Sequence, residues 1–445
     1  MRLVPPVPPR PRARGSWRTW RYWLVPGMGV KRHVTWAVLG ASVAIVGTIG
    51  FTLWLLGDQR DALAAPIEDL LVGERWARIG GWAAGALVVL GVAFTVAAIG
   101  RLNRSLLGNW LEHPQEAAEV LHRRLTLARG PRIVAIGGGT GLSLLLRGLR
   151  EHTSNLTAVV AVSDDGGSSG RLRAAFGMPA PGDLSDCLAA LSVDEASLGR
   201  LLQYRFTRGE ELQGHTFGNL LITTLSEVEN DFGDALRVMQ RLLALNGAVW
   251  PATAQAVTLR VEKADGRVVE GESVLAAHPG PATRVALNPS APEALPEVIE
   301  ALADADLVVL GPGSLFTSIL PPVVVPAVTV ALRDSPATLV LVVNIMTEAG
   351  ETDGFDAWDH VRAIERHVGR RPDLVVVNAT PLDAERVAAY RAEGAEVVGV
   401  DPRRFRDGGV ELVAWPLLGH APQAQHDAPA LARGLVTWWA QRGRR

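Results

Sequence analysis

The sequence predicts an α/β protein with a doubly wound, mostly parallel sheet, preceded by a two-helix transmembrane hairpin. Two observations predict the sheet: short β-branched runs alternate with amphipathic segments from residue 131 onward, and glycine-rich loops follow several of these runs. A third observation predicts the transmembrane hairpin: eight of the 13 tryptophans lie in the first quarter of the chain, around two long uncharged segments. The composition thus resembles two different proteins joined together.

The overall composition narrows the class of protein. Of the 445 residues, 48% are apolar and 20% are charged, which allows a sizeable core and excludes global disorder. The single cysteine, Cys187, excludes a disulfide framework and a cysteine-based zinc site, and suits a reducing compartment. The formal net charge of −2 gives no reason to expect nucleic acid as a partner.

Two apolar segments predict membrane-spanning helices within residues 34–100. Residues 34–57 form an uncharged run of 24 residues, and residues 79–100 form a run of 22. Both exceed the ~20 residues that a helix needs to cross ~30 Å of hydrocarbon. The first run is also longer than the ~7–15-residue apolar core of a cleavable signal peptide. Buried core helices are the alternative, although these rarely stay apolar around their whole circumference.

Flanking charges predict the orientation of this hairpin. Residues 1–33 contain eight basic and no acidic side chains, residues 58–78 contain five acidic and three basic ones, and Arg101 and Arg104 follow the second run. Because positive flanks stay in the cytoplasm, we expect both termini in the cytoplasm and the chain in the plasma (inner) membrane. We expect a disordered leader (1–33), a juxtamembrane connector (101–130) and a cytosolic domain (131–445).

Five apolar runs of the cytosolic domain predict parallel strands. They are apolar on both faces, as strands covered by helices on both sides are. The runs occupy residues 132–136, 156–162, 305–310, 338–343 and 373–377. Residues 253–275 differ, because they alternate in polarity around Asp265-Gly266 and so predict an inserted antiparallel hairpin.

Two glycine-rich loops predict anion sites, since ligands of such a sheet lie beyond the carboxyl ends of its strands. Residues 137–141 (GGGTG) follow the first run and open a helix, so their N–H groups suit a phosphate or pyrophosphate. A tight structural turn is the alternative. The spacing differs from the dinucleotide fingerprint at Leu142 and from a P-loop, which needs a nearby lysine. Residues 311–314 (GPGS) predict a second anion site.

The loop after the second run combines carboxylates with small donors. Asp164 and Asp165 follow the run directly and could hold a ribose, a cation or a reacting hydroxyl. Ser168, Ser169 and Arg171 supply donors for phosphate or sugar. An Asx turn is the alternative.

Further polar residues open helices or follow strands of the predicted sheet. Asp183 is predicted to be a helix N-cap, a ligand contact or both. His215 and Asn219 are candidates for hydrogen bonding or proton transfer, with a structural histidine as the alternative. Asn344 follows the fourth run. Because these loops converge on one rim of the sheet, we expect a crevice that binds a nucleotide-like ligand.

Six segments in this order resemble the bacterial gluconeogenesis factor (YvcK-like) family, which is related to the 2-phospho-L-lactate transferases of the CofD-like superfamily. The resemblance covers residues 131–425. The segments are IGGGTGLS (136–143), DDGGSSGRLR (164–173), PGD (181–183), GHTFGNLL (214–221), GPGSLFTSI (311–319) and NIMTEAGETDGF (344–355).

The resemblance implies a Rossmann-like domain that binds a UDP-sugar such as UDP-N-acetylglucosamine. It implies a regulatory protein needed for growth on gluconeogenic carbon and for cell shape, with cell-wall precursor or morphogenesis proteins as partners; we also expect a homo-oligomer. The expected ligand-binding residues are Gly138, Gly139, Thr140, Gly141, Ser168, Ser169, Arg171, Asp183, His215, Asn219, Gly311, Gly313, Ser314 and Asn344.

The transferase branch implies an alternative, an Mg²⁺-dependent enzyme that moves a phospholactyl group from a nucleotide-activated donor. Asp164 and Asp165 would then be metal-binding or catalytic residues. That branch lacks the second and fourth segments in this form, so the resemblance favours the regulator. The chain departs from its apparent relatives at Ser185-Asp186 beside Cys187, at Phe316 where tyrosine is usual, and at Glu348-Ala349 where Gln-Pro is common.

The C-terminal segment around Trp438 and Trp439 has two interpretations. It is predicted to be the last helix packing on the sheet, and the alternative is a basic helix at the lipid interface.

Overall fold

The computed structural model of the protein describes residues 30–55, 74–107 and 117–442. The chain divides into two compact units, residues 1–123 and 124–445. Most of the predicted leader and the segments 56–73 and 108–116 lie outside the described residues.

The first unit contains two long helices, α1 (Val30–Leu55) and α2 (Glu74–Leu107). Each includes a segment long and apolar enough to cross a membrane, Arg32–Leu55 and Gly80–Leu102. Small residues let the two helices approach closely, because a Cβ added to Gly91 would lie 2.5 Å from the amide nitrogen of Ala44. Large apolar side chains point outward, and Trp82 is 80% exposed. The predicted pair of apolar helices is confirmed.

Ten strands form the two sheets of the second unit. They are β1 (Ile133–Gly137), β2 (Leu156–Val160), β3 (Ala248–Pro251), β4 (Thr258–Lys263), β5 (Val268–Glu270), β6 (Ala282–Asn288), β7 (Leu307–Leu310), β8 (Thr338–Val342), β9 (Leu374–Asn378) and β10 (Glu411–Trp415).

The larger sheet has seven strands in the order β10-β9-β8-β7-β1-β2-β3, all parallel. The strand order reverses at β1, where Ile133 pairs with Leu156 of β2 on one side and Leu307 of β7 on the other. The central strands are apolar because both faces of the sheet are buried. The five predicted strands and the doubly wound parallel fold are confirmed.

The helices after α2 precede, connect or follow these strands. They are α3 (Ala117–Ala128), α4 (Gly139–Leu149), α5 (Gly167–Phe176), α6 (Gly182–Leu191), α7 (Arg200–Leu202), α8 (Phe217–Glu229), α9 (Phe232–Leu243), α10 (Pro296–Asp304), α11 (Leu320–Val323), α12 (Pro326–Asp334), α13 (Ala357–Val368), α14 (Ala384–Ala392), α15 (Pro402–Gly408) and α16 (Ala428–Arg442). Helix α4 packs against α6 and α16, whereas α12 packs against α10 and α13, so the helices form two groups, as in a doubly wound sheet.

The smaller sheet is antiparallel, in the order β5-β4-β6. Strands β4 and β5 confirm the predicted hairpin, and the structure adds β6 as a third strand. Lys263 at the end of β4 is buried, and its Nζ donates hydrogen bonds to the carbonyl oxygens of Gly280, at 2.8 Å, and of Gly350. The buried ammonium therefore ties this sheet to the loop that follows β8.

The C-terminal helix α16 packs on the sheet domain, as predicted. Leu431 and Leu435 are buried, and the Trp438 Nε1 donates a hydrogen bond of 2.8 Å to Glu411 in β10. The edge strands β3 and β10 were not predicted. Strand β3 has only four residues and ends at Pro251, which a central strand would not tolerate.

Candidate functional site

A cleft of about 430 Å³ lies beyond the carboxyl ends of β1, β7 and β8, where the strand order reverses. Its size is within the range of small-molecule sites. Its lining includes seven predicted ligand-binding residues: Gly138, Gly139, Thr140, Gly141, Gly313, Ser314 and Asn344. The remaining lining residues are Leu144, Leu145, Glu272, Pro312, Ser318, Ile345, Met346, Thr347, Glu348, Tyr390, Ala424, Gln425, His426, Ala428 and Leu431.

The two glycine-rich turns form one wall of this cleft. Gly139 has a φ of +59°, which glycine adopts at little cost. A Cβ on Gly141 would collide with the carbonyl oxygen of Pro312, so the two turns touch only because that side chain is missing. Gly311 holds the second turn at a φ of +78° but does not line the cleft itself.

The start of helix α4 leaves backbone donors for a ligand. Its N-cap, Gly138, has no side chain to cap the first turn. The Gly139 amide donates to the Asp183 carboxylate. Thr140 and Gly141 line the cleft, and their N–H groups, like the first N–H groups of any helix, have no intrahelical partner and lie at the positive end of the helix dipole.

Asp183 is not the N-cap that the sequence predicted. Helix α6 begins at Gly182 with Pro181 as its N-cap, so Asp183 lies inside the first turn and reaches across to α4 instead. Burial, followed by the negative charges of Asp164 and Asp186, raises the pKa of Asp183 to about 7. The carboxyl group therefore exchanges its proton near neutral pH.

Asn344 connects the second glycine turn to the loop after β8. Its Oδ1 accepts a hydrogen bond of 3.1 Å from the Gly313 amide, and its Nδ2 donates one of 3.1 Å to Glu348 Oε1. The other oxygen of Glu348, Oε2, is buried without a partner, and burial raises the pKa of this carboxyl.

Ser168, His215 and Asn219 form a buried hydrogen-bonded chain outside the cleft lining. The Ser168 Oγ lies 2.9 Å from His215 Nδ1 and accepts a bond of 3.1 Å from Asn219 Nδ2. Burial first, then the charges of Arg171 and Arg205, lowers the pKa of His215. The histidine is therefore satisfied by its neighbours, as in the structural alternative.

Ser169 and Arg171 also have partners away from the cleft lining. Ser169 is buried beside Gly182, and Arg171 donates a bond of 2.9 Å to the Gln213 carbonyl. Helix α5, which carries both residues, thus supports the loop of His215 and adds no donor to the cleft lining.

The predicted carboxylates Asp164 and Asp165 are engaged by backbone amides. Asp164 Oδ1 accepts from the Gly166 amide at 2.8 Å, which is the Asx turn of the alternative interpretation. Asp165 Oδ1 accepts from the Ser273 amide at 2.9 Å. Next to Ser273, Glu272 has a pKa raised to about 8 by burial and then by Asp164, Asp183 and Asp165.

These carboxylates do not form a metal centre by themselves. Within residues 30–55, 74–107 and 117–442, no group of three or more His, Cys, Asp or Glu side chains is placed to hold a metal ion. Mg²⁺ is commonly bound by one or two carboxylates together with substrate phosphates. Asp164 and Asp165 fit that role only if a ligand supplies the remaining oxygens.

Sequence reasoning missed seven polar residues of the cleft: Glu272, Ser318, Thr347, Glu348, Tyr390, Gln425 and His426. Glu272 enters on the loop after β5, and Tyr390 and His426 come from segments after β9 and β10. Ser318, Thr347 and Glu348 had a signal, since they lie in segments that carried the family resemblance.

The described domain matches a known class of α/β protein. Residues 133–418 match the family profile described as 2-phospho-L-lactate transferase CofD. Two crystal structures of one Bacillus halodurans protein, assigned to the UPF0052 family, are similar to this chain. Their TM-scores are 0.67 and 0.66 at 39% and 40% identity, and they cover 69% and 68% of this chain and 100% and 99% of their own.

Similar sequences define the family more narrowly. The Bacillus subtilis gluconeogenesis factor is 40% identical over 312 residues, which are 70% of this chain and 98% of the relative. A relative of the same family name from Deinococcus radiodurans is 45% identical over 439 residues, 97% of this chain and 92% of its own. The chain therefore belongs to the gluconeogenesis factor family and carries a CofD-type domain. About 30% of it has no counterpart in the Bacillus subtilis relative.

Proposed function

We propose that this protein is a nucleotide-sugar sensor that binds a UDP-sugar such as UDP-N-acetylglucosamine in the cleft. In this role it regulates growth on gluconeogenic carbon and cell shape by contacting cell-wall precursor or morphogenesis proteins, as a homo-oligomer. The observation that carries the proposal is the meeting of two glycine-rich turns at the reversal of the strand order, with the first turn of α4 open to an anion.

The parts of the cleft suit the parts of such a ligand. The amides of Thr140 and Gly141 and the hydroxyl of Ser314 suit the diphosphate. The carboxyl groups of Glu272 and Glu348 suit sugar hydroxyls, which donate hydrogen bonds to carboxyl oxygens. Leu144, Leu145 and Ile345 supply the apolar surface that a nucleobase needs.

The two apolar helices are proposed to anchor this sensor in the plasma membrane. Their length and composition support spanning, and the basic flanks support cytoplasmic termini. The anchor would concentrate the cytosolic domain near membrane-bound wall-precursor proteins.

Isothermal titration of the purified full chain in detergent tests the ligand. UDP-N-acetylglucosamine is expected to bind, and S314A is expected to weaken binding by about three- to tenfold, since one hydrogen bond contributes roughly 0.5–1.5 kcal/mol. The matched control, S154A at the amino-end edge of the sheet, is expected to leave the affinity unchanged. If no nucleotide sugar binds with or without Mg²⁺, the sensor proposal is wrong.

A second candidate is an Mg²⁺-dependent enzyme of the phospholactate transferase type. The carboxyl groups of Asp164, Asp183 and Glu272, whose charges influence one another, favour it because such a group could assist a phosphate-bound metal. Bound with a nucleotide, the metal would neutralise phosphate charge, and Asp183 could exchange a proton near neutral pH. Release of GMP or UMP from an activated donor, lost in D164N, would support the enzyme and contradict a pure sensor.

A further inference from the structure

Two buried polar atoms of the cleft have no hydrogen-bond partner, and one of them belongs to a carboxyl group. Five such side-chain atoms occur in the described part of the chain: Ser163 Oγ, Gln240 Nε2, Glu297 Oε2, Glu348 Oε2 and His426 Nε2. Of these residues, Glu348 and His426 line the cleft. Because a buried polar atom without a hydrogen bond is costly, such an atom at a binding site indicates a partner that a ligand supplies.

The carboxyl group of Glu348 is held in place through its other oxygen. The Gly313 amide can only donate, so the oxygen of the Asn344 side chain must face it, and this bond is 3.1 Å long. The Asn344 nitrogen Nδ2 therefore faces Glu348 and donates to Oε1, also at 3.1 Å. The backbone amide of Glu348 donates a bond of 2.8 Å to the Thr352 hydroxyl. These bonds leave Oε2 as the unpartnered oxygen of a positioned carboxyl group.

A ligand hydroxyl satisfies Oε2 in either protonation state of this carboxyl group. Since a donor from Asn344 already faces Oε1, the proton of a neutral carboxyl group belongs on Oε2, which then needs an acceptor. An ionised carboxyl group instead needs a donor at Oε2. A hydroxyl group is both, whereas a phosphate oxygen suits only the neutral form, because two negative charges repel at this distance. The choice of a hydroxyl thus does not depend on the pKa of Glu348.

The position of Glu348 relative to the anion-binding wall suits a sugar ring. Asn344 bridges the Glu348 carboxyl group to the Gly313 amide, so this carboxyl group lies beside the second glycine-rich turn. In a nucleotide sugar, a ring with hydroxyl groups is attached at each end of the diphosphate, the ribose at one end and the hexose at the other. A diphosphate held by the glycine-rich turns therefore brings sugar hydroxyls towards Oε2.

We propose that Glu348 Oε2 recognises a sugar hydroxyl of the bound nucleotide and that Asn344 positions it for this purpose. The inference rests on the proposed nucleotide-sugar binding and names the ligand group that determines specificity. A nucleotide without this hydroxyl leaves Oε2 buried and unsatisfied, so it binds less tightly. Ribose and hexose supply the same chemistry, and ligands that lack the hydroxyl groups of one ring or the other distinguish the two sources.

Isothermal titration of the full chain in detergent measures two affinity ratios that test the inference. UDP-N-acetylglucosamine against UDP reports the hexose hydroxyls, and UDP against 2′,3′-dideoxy-UDP reports the ribose hydroxyls. We expect at least one ratio to be about tenfold in the wild type, as for one hydrogen bond to a buried group. In E348L, which has no polar atom at this position, the same ratio is expected to fall towards one.

The conservative variant E348Q distinguishes a hydroxyl from a phosphate. With its amide oxygen facing Asn344 Nδ2, its amide nitrogen replaces Oε2 and can donate to a hydroxyl oxygen. We therefore expect E348Q to keep the wild-type ratio within about threefold. Tighter binding of every nucleotide in E348Q, with unchanged ratios in E348L, would indicate a phosphate beside Oε2 and contradict the inference. The matched control E393L, at an exposed residue, is expected to keep the wild-type ratios.

The outcomes separate this inference from the function on which it rests. If both wild-type ratios are near one, or if E348L retains them, the hydroxyl inference is wrong and nucleotide binding stands. If no nucleoside diphosphate or nucleotide sugar binds, the proposed function fails and the inference fails with it. The wild-type ratios require no variant, and E348A removes the same oxygen if E348L does not fold.

Discussion

At the scale of single residues, Asp183 joins the stability of the fold to the chemistry of the cleft. Its folded-state pKa of about 7 lies above the ordinary carboxyl value of 3.8, so the folded protein holds this proton more tightly than the unfolded chain does. The group therefore lowers the free energy of unfolding as the pH rises from about 4 to about 7.

The D183N substitution removes this pH-dependent loss of stability. We expect the variant to be more stable than the wild type at pH 8, by on the order of 1–3 kcal/mol, and nearly equal to it at pH 4. Thermal unfolding at both pH values measures the difference, with the exposed control E393Q expected to follow the wild type. A D183N protein that is less stable at pH 8 than at pH 4, relative to wild type, would contradict the assigned shift.

A second prediction concerns Gly141, whose missing side chain lets the two glycine-rich turns touch. G141A would push a methyl group into the Pro312 carbonyl. We expect a loss of about 1–3 kcal/mol of stability and the loss of nucleotide-sugar binding. The matched control G399A has only an ordinary contact at 3.9 Å, and both properties should persist in it. Unchanged binding by G141A would mean that this wall does not hold the ligand.

At the scale of elements, the small antiparallel sheet shapes the cleft from outside the main sheet. It supplies Glu272 on the loop after β5, and its Ser273 amide is bound by Asp165. Lys263 ties β4 to the Gly350 carbonyl in the loop that carries Glu348. The inserted sheet thus positions two of the cleft's carboxyl groups.

Loss of this connection is expected to loosen the loop after β8. K263M leaves two backbone carbonyls without their donor, so we expect about 1–3 kcal/mol of destabilisation and faster hydrogen exchange across residues 344–355. Hydrogen–deuterium exchange with mass spectrometry compares it with R260M, an exposed residue of the same strand. Equal exchange in the two variants would show that the lysine does not hold the loop.

At the scale of the whole molecule, the proposed anchor predicts where the chain resides in the cell. The full chain is expected to remain in the membrane fraction after carbonate washing, whereas residues 131–445 expressed alone are expected in the soluble fraction. An A65C substitution between the two apolar segments should react with a membrane-impermeant maleimide added to intact cells. Cys187, which is buried, is the internal control. Reaction only after lysis would reverse the proposed orientation.

The sequence predicted most of the fold because its signals are local. Runs such as residues 132–136 are apolar on both faces, and the residues around Asp265-Gly266 alternate in polarity. Neighbouring residues alone therefore predict the strand and the hairpin. Strand β6 was not predicted because its alternating residues follow a long turn. They form a strand only by pairing with β4. Asp183 was misassigned as a cap because its partner, Gly139, lies more than 40 residues away.

By itself the sequence determined the class of the protein: two helices apolar enough to cross a membrane, a doubly wound parallel sheet and the glycine-rich turns that mark its binding edge. Only the tertiary structure decided which polar residues meet there. Ser168, His215 and Asn219 bind one another outside the cleft lining, whereas Glu272, Glu348 and His426 line it. The physical reason is that hydrophobic periodicity is a property of neighbouring residues in the sequence. Burial, hydrogen-bond partners and the resulting pKa values depend on segments that only folding brings together.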